Sequence, residues 1–338
     1  MPNIKAKDII RRLNLSSLWL FVTNRCNLNC GYCFFKDRCK TSKLSLGDVK
    51  SILEAYPREK HLNIVISGGE PCYEWGMVES IFKYARVNFI NCRLMLETNG
   101  IMLDSQRIKF IKKHGVAVEL GIDGDFKTTA EHRRGISISK FNRLLGNIDL
   151  ILKLGIKVSP TMTVHPRQAK KMLGNFQYLA SLGLYSIDVH PALFESWTKA
   201  YSDDFVSGYK QIVEYDNKNN GSLLNKSYSL PMKLSFDLVV LPEGLILPNW
   251  VYLCLCATDR IHYAIGRISN GRILFDREKL LYFLAKYKEF FRKNRSYGEL
   301  SNYNLEIMYK DIRDKAVKKT LNNYFQIWRA MKEADYQI

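Results

Sequence analysis

The stretch Leu18-Trp-Leu-Phe-Val-Thr-Asn-Arg-Cys-Asn-Leu-Asn-Cys-Gly-Tyr-Cys33 places three cysteines directly behind an apolar run. The run from Leu18 to Val22 has the length and composition of a buried strand. Cys26, Cys30 and Cys33 follow it at spacings of four and three residues, in a segment rich in Asn and Gly that is typical of a loop. The stretch therefore predicts a strand that ends in a loop whose three thiols can bind one small metal centre.

Two kinds of metal centre fit these cysteines. Three thiolates from one loop suit a four-iron cluster that keeps its fourth iron open for another ligand, since cysteine thiolates hold such clusters. Cys39 lies six residues after Cys33, so a structural zinc site with four thiolates is the alternative. Paired zinc knuckles have two Cys-x-x-Cys units with a longer gap between them, and these cysteines do not follow that pattern. The loop alone leaves both centres open.

Strand and helix patterns alternate behind the cysteine loop through the first 190 residues. The predicted strands are 62–67, 92–97, 116–122, 157–164 and 185–190, and the predicted helices are 45–56, 74–88, 104–114, 140–154 and 167–182. Such alternation predicts a parallel sheet with right-handed crossovers and with helices outside. Together with the strand before the cysteines, we expect an α/β fold, a partial (β/α)6 barrel whose functional residues collect at the carboxyl ends of the strands.

Three of these strands end in turns that carry glycine and polar residues. Ser67-Gly-Gly-Glu-Pro71 follows the second strand, Glu97-Thr-Asn-Gly100 the third and Gly121-Ile-Asp-Gly124 the fourth, and His132-Arg-Arg134 lies just beyond. Adjacent glycines permit close approach of another backbone, whereas an Asn-Gly pair is also common in ordinary turns. Each motif alone is compatible with a plain turn. Because parallel strands bring their carboxyl ends to one edge, we expect these turns to meet the cysteine loop.

The cysteine spacing and the motifs, in this order, resemble the radical S-adenosylmethionine (SAM) enzymes over residues 18–190. The resemblance implies one [4Fe-4S] cluster on Cys26, Cys30 and Cys33 with SAM on the open iron, and it makes the zinc alternative remote. The SAM contacts that it implies are Gly68, Gly69, Glu70 and Pro71 at the methionine amino group, Asn99 and Asp123 beside them, Arg134 at the carboxylate and Tyr32 against the adenine. Gly121 stands where relatives often have serine, so one hydroxyl contact to the ribose is missing.

The segment behind the barrel resembles the SPASM or twitch extension of peptide-modifying radical SAM enzymes. Residues 236–248 and 265–268 have the short apolar runs and Pro/Gly turns of a small β-hairpin frame. The extension normally carries auxiliary clusters, but this segment has two cysteines, Cys254 and Cys256, so we expect a degenerate extension without one. The spare thiols Cys39, Cys72, Cys254 and Cys256 are candidate hydrogen-atom donors to a substrate radical, although a single cysteine is more often a small buried apolar residue.

The expected organisation is a basic N-terminal segment over 1–17, the barrel over 18–195, the extension over 196–276 and basic helices over 277–338. Residues 1–60 carry twelve Lys and Arg against five Asp and Glu, and residues 277–338 carry fourteen against eight, within a net charge of +18. Such ends can attract an acidic peptide, nucleic acid or phosphate, or simply form a solvated surface. With no apolar run of about 18 residues and no apolar signal core, we expect no membrane span and a cytoplasmic location.

The resemblance implies an enzyme that reductively cleaves SAM to a 5′-deoxyadenosyl radical and abstracts hydrogen from a substrate, with an electron donor of the flavodoxin or ferredoxin type. We expect a ribosomally synthesised peptide as the substrate, changed by epimerisation, crosslinking or a related maturation step, because the His132 motif and the extension resemble those of peptide-modifying members. The alternative is a small-molecule or nucleotide substrate. A non-catalytic nucleic-acid-binding or scaffold protein is a third interpretation, but it would not need the three cysteines.

Overall fold

A computed structural model of the chain describes residues 6–12, 15–33, 35, 42–192, 195–225, 238–248, 253, 257–292, 326–327 and 330–331. Within them the strands are β1 (Ser17–Phe21), β2 (Asn29–Cys30), β3 (Leu62–Ser67), β4 (Cys92–Thr98), β5 (Val116–Gly121), β6 (Arg133–Arg134), β7 (Val158–Val164), β8 (Asp188–Pro191), β9 (Leu238–Val240), β10 (Leu245–Leu247), β11 (Gly266–Ser269) and β12 (Arg272–Phe275). The α-helices are α1 (Ala6–Arg12), α2 (Leu46–Glu54), α3 (Trp75–Asn88), α4 (Ser105–Lys113), α5 (Phe126–His132), α6 (Ile138–Lys153), α7 (Met172–Ser181), α8 (Lys199–Lys218), α9 (Ala257–Tyr263) and α10 (Arg277–Arg292). Two 3-10 helices lie at Pro71–Glu74 and Pro166–Lys171.

Six parallel strands form the barrel wall in the order β1-β3-β4-β5-β7-β8, with helices between them along the chain. Their bounds agree with the predicted strands to within three residues. Residues that are buried against the helices alternate with residues that face the interior, as in β5, where Val118 and Leu120 are buried and Ala117 and Glu119 line the inside. The predicted α/β fold, a partial (β/α)6 barrel, is therefore confirmed.

Helix α8 is the longest described helix and is not among the predicted helices. The hydroxyl of Thr198 caps its first turn by accepting the N–H of Tyr201 at 3.3 Å. Its buried side chains, among them Phe205, Tyr209 and Ile212, belong to the apolar core, and the helix packs against α7. The sixth barrel strand, β8, is therefore followed by a helix like the strands before it.

The predicted hairpin extension continues the barrel sheet. β9 pairs in parallel with β1, and β10, β11 and β12 follow as an antiparallel meander, so that ten strands form one sheet. Helix α10 begins the predicted helical region, of which residues 293–325 lie outside the described part of the chain. The predicted segment boundaries stay predictions. No helix in the described part is long and apolar enough to cross a membrane.

Candidate functional site

A cavity of about 1030 Å³ runs through the barrel from the amino ends of the parallel strands, beside Gly115 and Gly155, to their carboxyl ends. Cys26, Cys30 and Cys33 are partly buried, and all three line it. Among the described residues, no three His, Cys, Asp or Glu side chains converge on a point that would hold a single metal ion. A four-iron cluster is larger than one ion and takes thiolates that are spread over its faces. Three thiols of one loop on one cavity wall fit such a cluster with one iron left open.

The electrostatic setting of Cys30 follows from its position. Burial raises the pKa of its thiol to about 11, and the positive charge of Arg133 is the first of the neighbouring charges and opposes that rise. Because metal ligation requires the thiolate, cluster binding would release this proton. The positive charge of Arg133 thus favours the thiolate of Cys30, which is the form that binds a metal.

The turn Gly68-Gly69 lies directly against the backbone that leads into the cysteine loop. Gly69 N donates to Thr23 O at 2.8 Å, and Glu70 N donates to Arg25 O at 2.7 Å. A Cβ at Gly68 would lie 2.6 Å from Thr23 O, and a Cβ at Gly69 would lie 2.7 Å from the carbonyl carbon of Arg25. Gly68 also has a φ of +145°, which L side chains rarely adopt. Both glycines line the cavity, and their lack of side chains lets the turn support the loop.

Glu70 lies behind the cavity wall. It is fully buried, it does not line the cavity, and its carboxylate accepts the N–H of Cys72 at 3.1 Å, the N–H of Asn99 at 2.9 Å and the hydroxyl of Thr98 at 2.8 Å. Burial raises the pKa of Glu70, and these donors oppose the rise. Pro71 beside it begins a 3-10 helix and is buried as well. The structure therefore places both predicted SAM contacts where they join the ends of β3 and β4, away from the cavity surface.

Asn99 connects the third strand-end turn to the middle of the cysteine loop. Its Nδ2 donates to Asn27 Oδ1 at 2.7 Å, and its Oδ1 accepts the N–H of Ile101 at 3.1 Å. Asn99 lines the cavity, as the sequence predicted for a site residue. Both the nitrogen and the oxygen of its side-chain amide already form hydrogen bonds within the protein. Asn99 therefore positions the part of the loop between Cys26 and Cys30.

The two arginines after His132 differ in exposure. Arg133 is buried and lines the cavity, whereas Arg134 is exposed and does not line it. The pairing of β2 with β6 sets this difference, because it places Arg133 opposite Cys30, and successive strand residues point to opposite faces. The structure thus brings Arg133 to the cavity instead of the predicted Arg134.

Asp123 holds Arg133 in place. Arg133 Nε and Nη2 each donate to the Asp123 carboxylate at 2.9 Å, the Tyr32 hydroxyl donates to it as well, and so does Thr163 N at 3.1 Å. The Arg133 guanidinium lies 5.7 Å from the centre of the Tyr32 ring. A Cβ at Gly121 would lie 2.6 Å from Arg133 Nη1, so the guanidinium fills the space of the missing serine side chain. Asp123, predicted as a site residue, is buried beneath the wall that Tyr32 and Arg133 form.

Two carboxylates inside the cavity were not among the predicted site residues. Glu97 on β4 and Glu119 on β5 are paired in register, and both line the cavity. Burial raises the pKa of both carboxyl groups, and the charge of Glu119 raises that of Glu97 further. On β8, burial lowers the pKa of His190 to about 4, so its imidazole is neutral at pH 7. The alternation of each strand places its Glu on the face opposite the buried apolar residues, so the sequence did carry a signal for an inward position.

Of the four predicted spare thiols, Cys72 is the one that the structure describes. Cys39, Cys254 and Cys256 lie outside the described residues. Cys72 is buried and does not line the cavity, and its Sγ lies 3.9 Å from Thr98 Oγ1. Burial and then the charge of Glu70 raise its pKa well above the ordinary thiol value. This position is inside the protein wall and away from the space that a substrate would occupy.

Part of the chain matches a known protein family. The family model of the radical SAM superfamily matches residues 20–176. The GTP 3′,8-cyclase of Clostridium acetobutylicum is 30% identical over 158 residues, which are 45% of this chain and 48% of that protein. The cysteine-type anaerobic sulfatase-maturating enzyme of Clostridium novyi is 25% identical over 171 residues, 46% of each protein, so this chain spans less than half the length of either relative.

The described part of the chain has a fold similar to that of a solved structure. Native anSMEcpe with bound AdoMet and Kp18Cys peptide superposes with a TM-score of 0.67 at 18% sequence identity. The match covers 95% of this chain and 97% of that one. The likeness therefore includes the extension behind the barrel as well as the barrel.

Proposed function

We propose that this chain, whose residues 20–176 match the family model of the radical SAM superfamily, is an enzyme that binds one [4Fe-4S] cluster through Cys26, Cys30 and Cys33, with SAM on the open iron. The observation that carries this proposal is that the three thiols line the same cavity as the turns that follow the parallel strands. Reduced by a donor of the flavodoxin or ferredoxin type, such a cluster supplies a 5′-deoxyadenosyl radical from SAM for hydrogen abstraction from the substrate.

The cavity wall offers separate groups for the charged ends of the methionine part of SAM. Gly68 and Gly69 line the cavity, and their backbone carbonyl oxygens accept hydrogen bonds from the ammonium group. Arg133 binds the carboxylate through Nη1, since its Nε and Nη2 are held by Asp123. The ring of Tyr32 on the same wall provides a surface for the adenine. In this proposal Glu70, Pro71, Asn99 and Asp123 act by holding the turns and Arg133 in position.

We further propose that the substrate is a ribosomally synthesised peptide. Support comes from the sulfatase-maturating relative, from the fold shared with anSMEcpe, which was solved with a bound peptide, and from the extension that continues the barrel sheet. Epimerisation, crosslinking or a related step would follow hydrogen abstraction. A nucleotide substrate is the second candidate, because the GTP 3′,8-cyclase is 30% identical over the matched residues.

Iron binding and SAM cleavage test the cofactor part. The purified chain is reconstituted anaerobically with iron and sulfide, and iron per chain and 5′-deoxyadenosine formed with dithionite and SAM are measured. We expect about four iron atoms per chain, their loss in Cys30→Ala, and their retention in Cys92→Ala, a control that removes a buried thiol away from the cysteine loop. A Cys30→Ala variant that keeps the iron and still forms 5′-deoxyadenosine contradicts the proposal.

A second measurement separates the two substrate classes. The reconstituted enzyme is incubated in deuterated water with short peptides encoded beside its gene, and in parallel with GTP, and products are analysed by mass spectrometry. Solvent deuterium in a peptide, or the mass loss of a crosslink, supports the peptide proposal. Conversion of GTP with every peptide unchanged would replace it with the nucleotide candidate.

A further inference from the structure

The guanidinium of Arg133 occupies the space in which a side chain at residue 121 would lie. A Cβ at Gly121 would lie 2.6 Å from Nη1 and 2.9 Å from Nη2 of that side chain, distances at which real Cβ contacts are essentially absent, and 3.0 Å from its Cζ. Gly121 is not among the residues with positive φ, so its backbone conformation does not require glycine. Residue 121 is glycine for steric reasons, since any side chain there would displace the guanidinium of Arg133.

The guanidinium is fixed once it occupies that space. Two of its three nitrogens donate to Asp123, whose side chain is 1% exposed, while that of Arg133 is 11% exposed. The Asp123 carboxylate also receives the Tyr32 hydroxyl and Thr163 N, so its charge is distributed over four donors. Arg133 lines the cavity and Asp123 does not, so the ion pair has its positive end toward the cavity.

This positive end lies beside one of the predicted iron ligands. Arg133 and Cys30 are direct register partners in the β2–β6 pair, and Gly31 N donates to His132 O at 2.8 Å, which holds the two segments together. The charge of Arg133 acts on the Cys30 thiol, which is partly shielded from water. Electrostatic interactions are stronger in such an environment than in bulk water.

We propose that Arg133 is a fixed positive charge that raises the reduction potential of the cluster held by Cys26, Cys30 and Cys33, and that residue 121 is glycine to admit its guanidinium. The reduced cluster carries one more negative charge than the oxidised cluster, so a nearby cation stabilises the reduced state. Charge and hydrogen bonding around the sulfur atoms set the potential of iron–sulfur clusters. This inference rests on the proposed function, because it needs the cluster at these cysteines.

The midpoint potential tests the inference without any turnover. Reconstituted wild type, Arg133→Gln and Arg133→Lys are titrated anaerobically without SAM, and the reduced cluster is followed by electron paramagnetic resonance. We expect a lower midpoint potential in Arg133→Gln and a value close to wild type in Arg133→Lys, which restores the charge. Arg25→Gln is the matched control, because Arg25 precedes Cys26 in sequence but its side chain is 53% exposed and screened by water.

A second variant keeps the test decisive if Arg133→Gln does not hold the cluster. Gly121→Ala retains both charges and pushes the guanidinium from its place, so its potential should also be lower than that of wild type. An unchanged potential in Gly121→Ala, or in Arg133→Gln with full iron and sulfide, overturns the inference. A wild-type chain that binds no iron is a different result, and it refutes the proposed function itself.

Discussion

Replacing Asp123 with asparagine should destabilise the folded chain more than any other substitution of similar size near the site. The carboxylate accepts two hydrogen bonds from Arg133, one from Tyr32 and one from Thr163 N. Asparagine has nearly the same shape, but it places an N–H group where one donor now points. It also leaves the buried guanidinium without a counterion.

The magnitude follows from the burial of the pair. Removing one partner of a buried ion pair costs about 3–5 kcal/mol, because the remaining charge stays uncompensated. The asparagine oxygen still accepts some of the four hydrogen bonds. The cost of the hydrogen bonds that are lost is therefore included in that range and is not added to it. We expect the free energy of unfolding of Asp123→Asn to fall by about 3–5 kcal/mol at pH 7.

Urea unfolding of the chain without added iron, followed by circular dichroism, measures this value. Asp125→Asn is the matched control, because Asp125 caps α5 by accepting Thr128 N at 2.7 Å and asparagine caps as well as aspartate. The double variant with Arg133→Met should recover much of the loss, since it removes the uncompensated charge. A loss below about 1 kcal/mol, the size of an ordinary hydrogen bond, or a double variant with strictly additive losses, refutes the argument.

Two further predictions use groups that the structure places in or beside the cavity. Glu97→Gln should stabilise the chain, and urea unfolding should show a gain in the free energy of unfolding that grows from pH 5 to pH 8. The folded protein keeps Glu97 and Glu119 protonated above pH 4.5, where the unfolded chain has released those protons. The wild type therefore loses stability as the pH rises. A gain that shrinks with pH would show that the pair is ionised and compensated. Gly69→Ala should lower the iron content after reconstitution, because its Cβ would lie 2.7 Å from the carbonyl carbon of Arg25, whereas Gly76→Ala, with nothing within 4 Å, should bind iron like the wild type. Equal iron in both variants would mean that the turn does not support the loop.

Most of the barrel could be predicted because its strands are short apolar runs bounded by glycine and polar turns. Leu62–Ser67 was predicted to the residue, and the other barrel strands to within three residues. α8 was not predicted, since its polar and charged residues outnumber the apolar side chains that it buries. The pairing of β9 with β1 was not predictable either, because a parallel pair between strands more than 200 residues apart leaves no local pattern.

The identity of several site residues was predictable, but their orientation was not. The three cysteines and the glycine turn reached the cavity as expected. Arg133 and Arg134 are adjacent and chemically identical, and the two-residue pairing of β2 with β6 decides which of them points inward. Glu70 was predicted at the surface of the site because a carboxylate suits an ammonium group, but two of its three hydrogen-bond donors, Thr98 and Asn99, lie 28 and 29 residues later in the sequence.

The strand-end motifs act together as supports of one loop. Gly69 N binds Thr23 O before the first cysteine, Asn99 binds Asn27 between the first and second, and β6 pairs with the second cysteine itself. These contacts come from β3, β4 and the segment after β5, so the loop is fixed at three successive points by three different parts of the barrel. A motif residue can therefore be essential without touching the cofactor, because a shift at any one of these points moves the thiols relative to the other two. For this chain, iron content distinguishes a residue that supports the loop from one that contacts SAM, since loss of a SAM contact leaves the cluster in place.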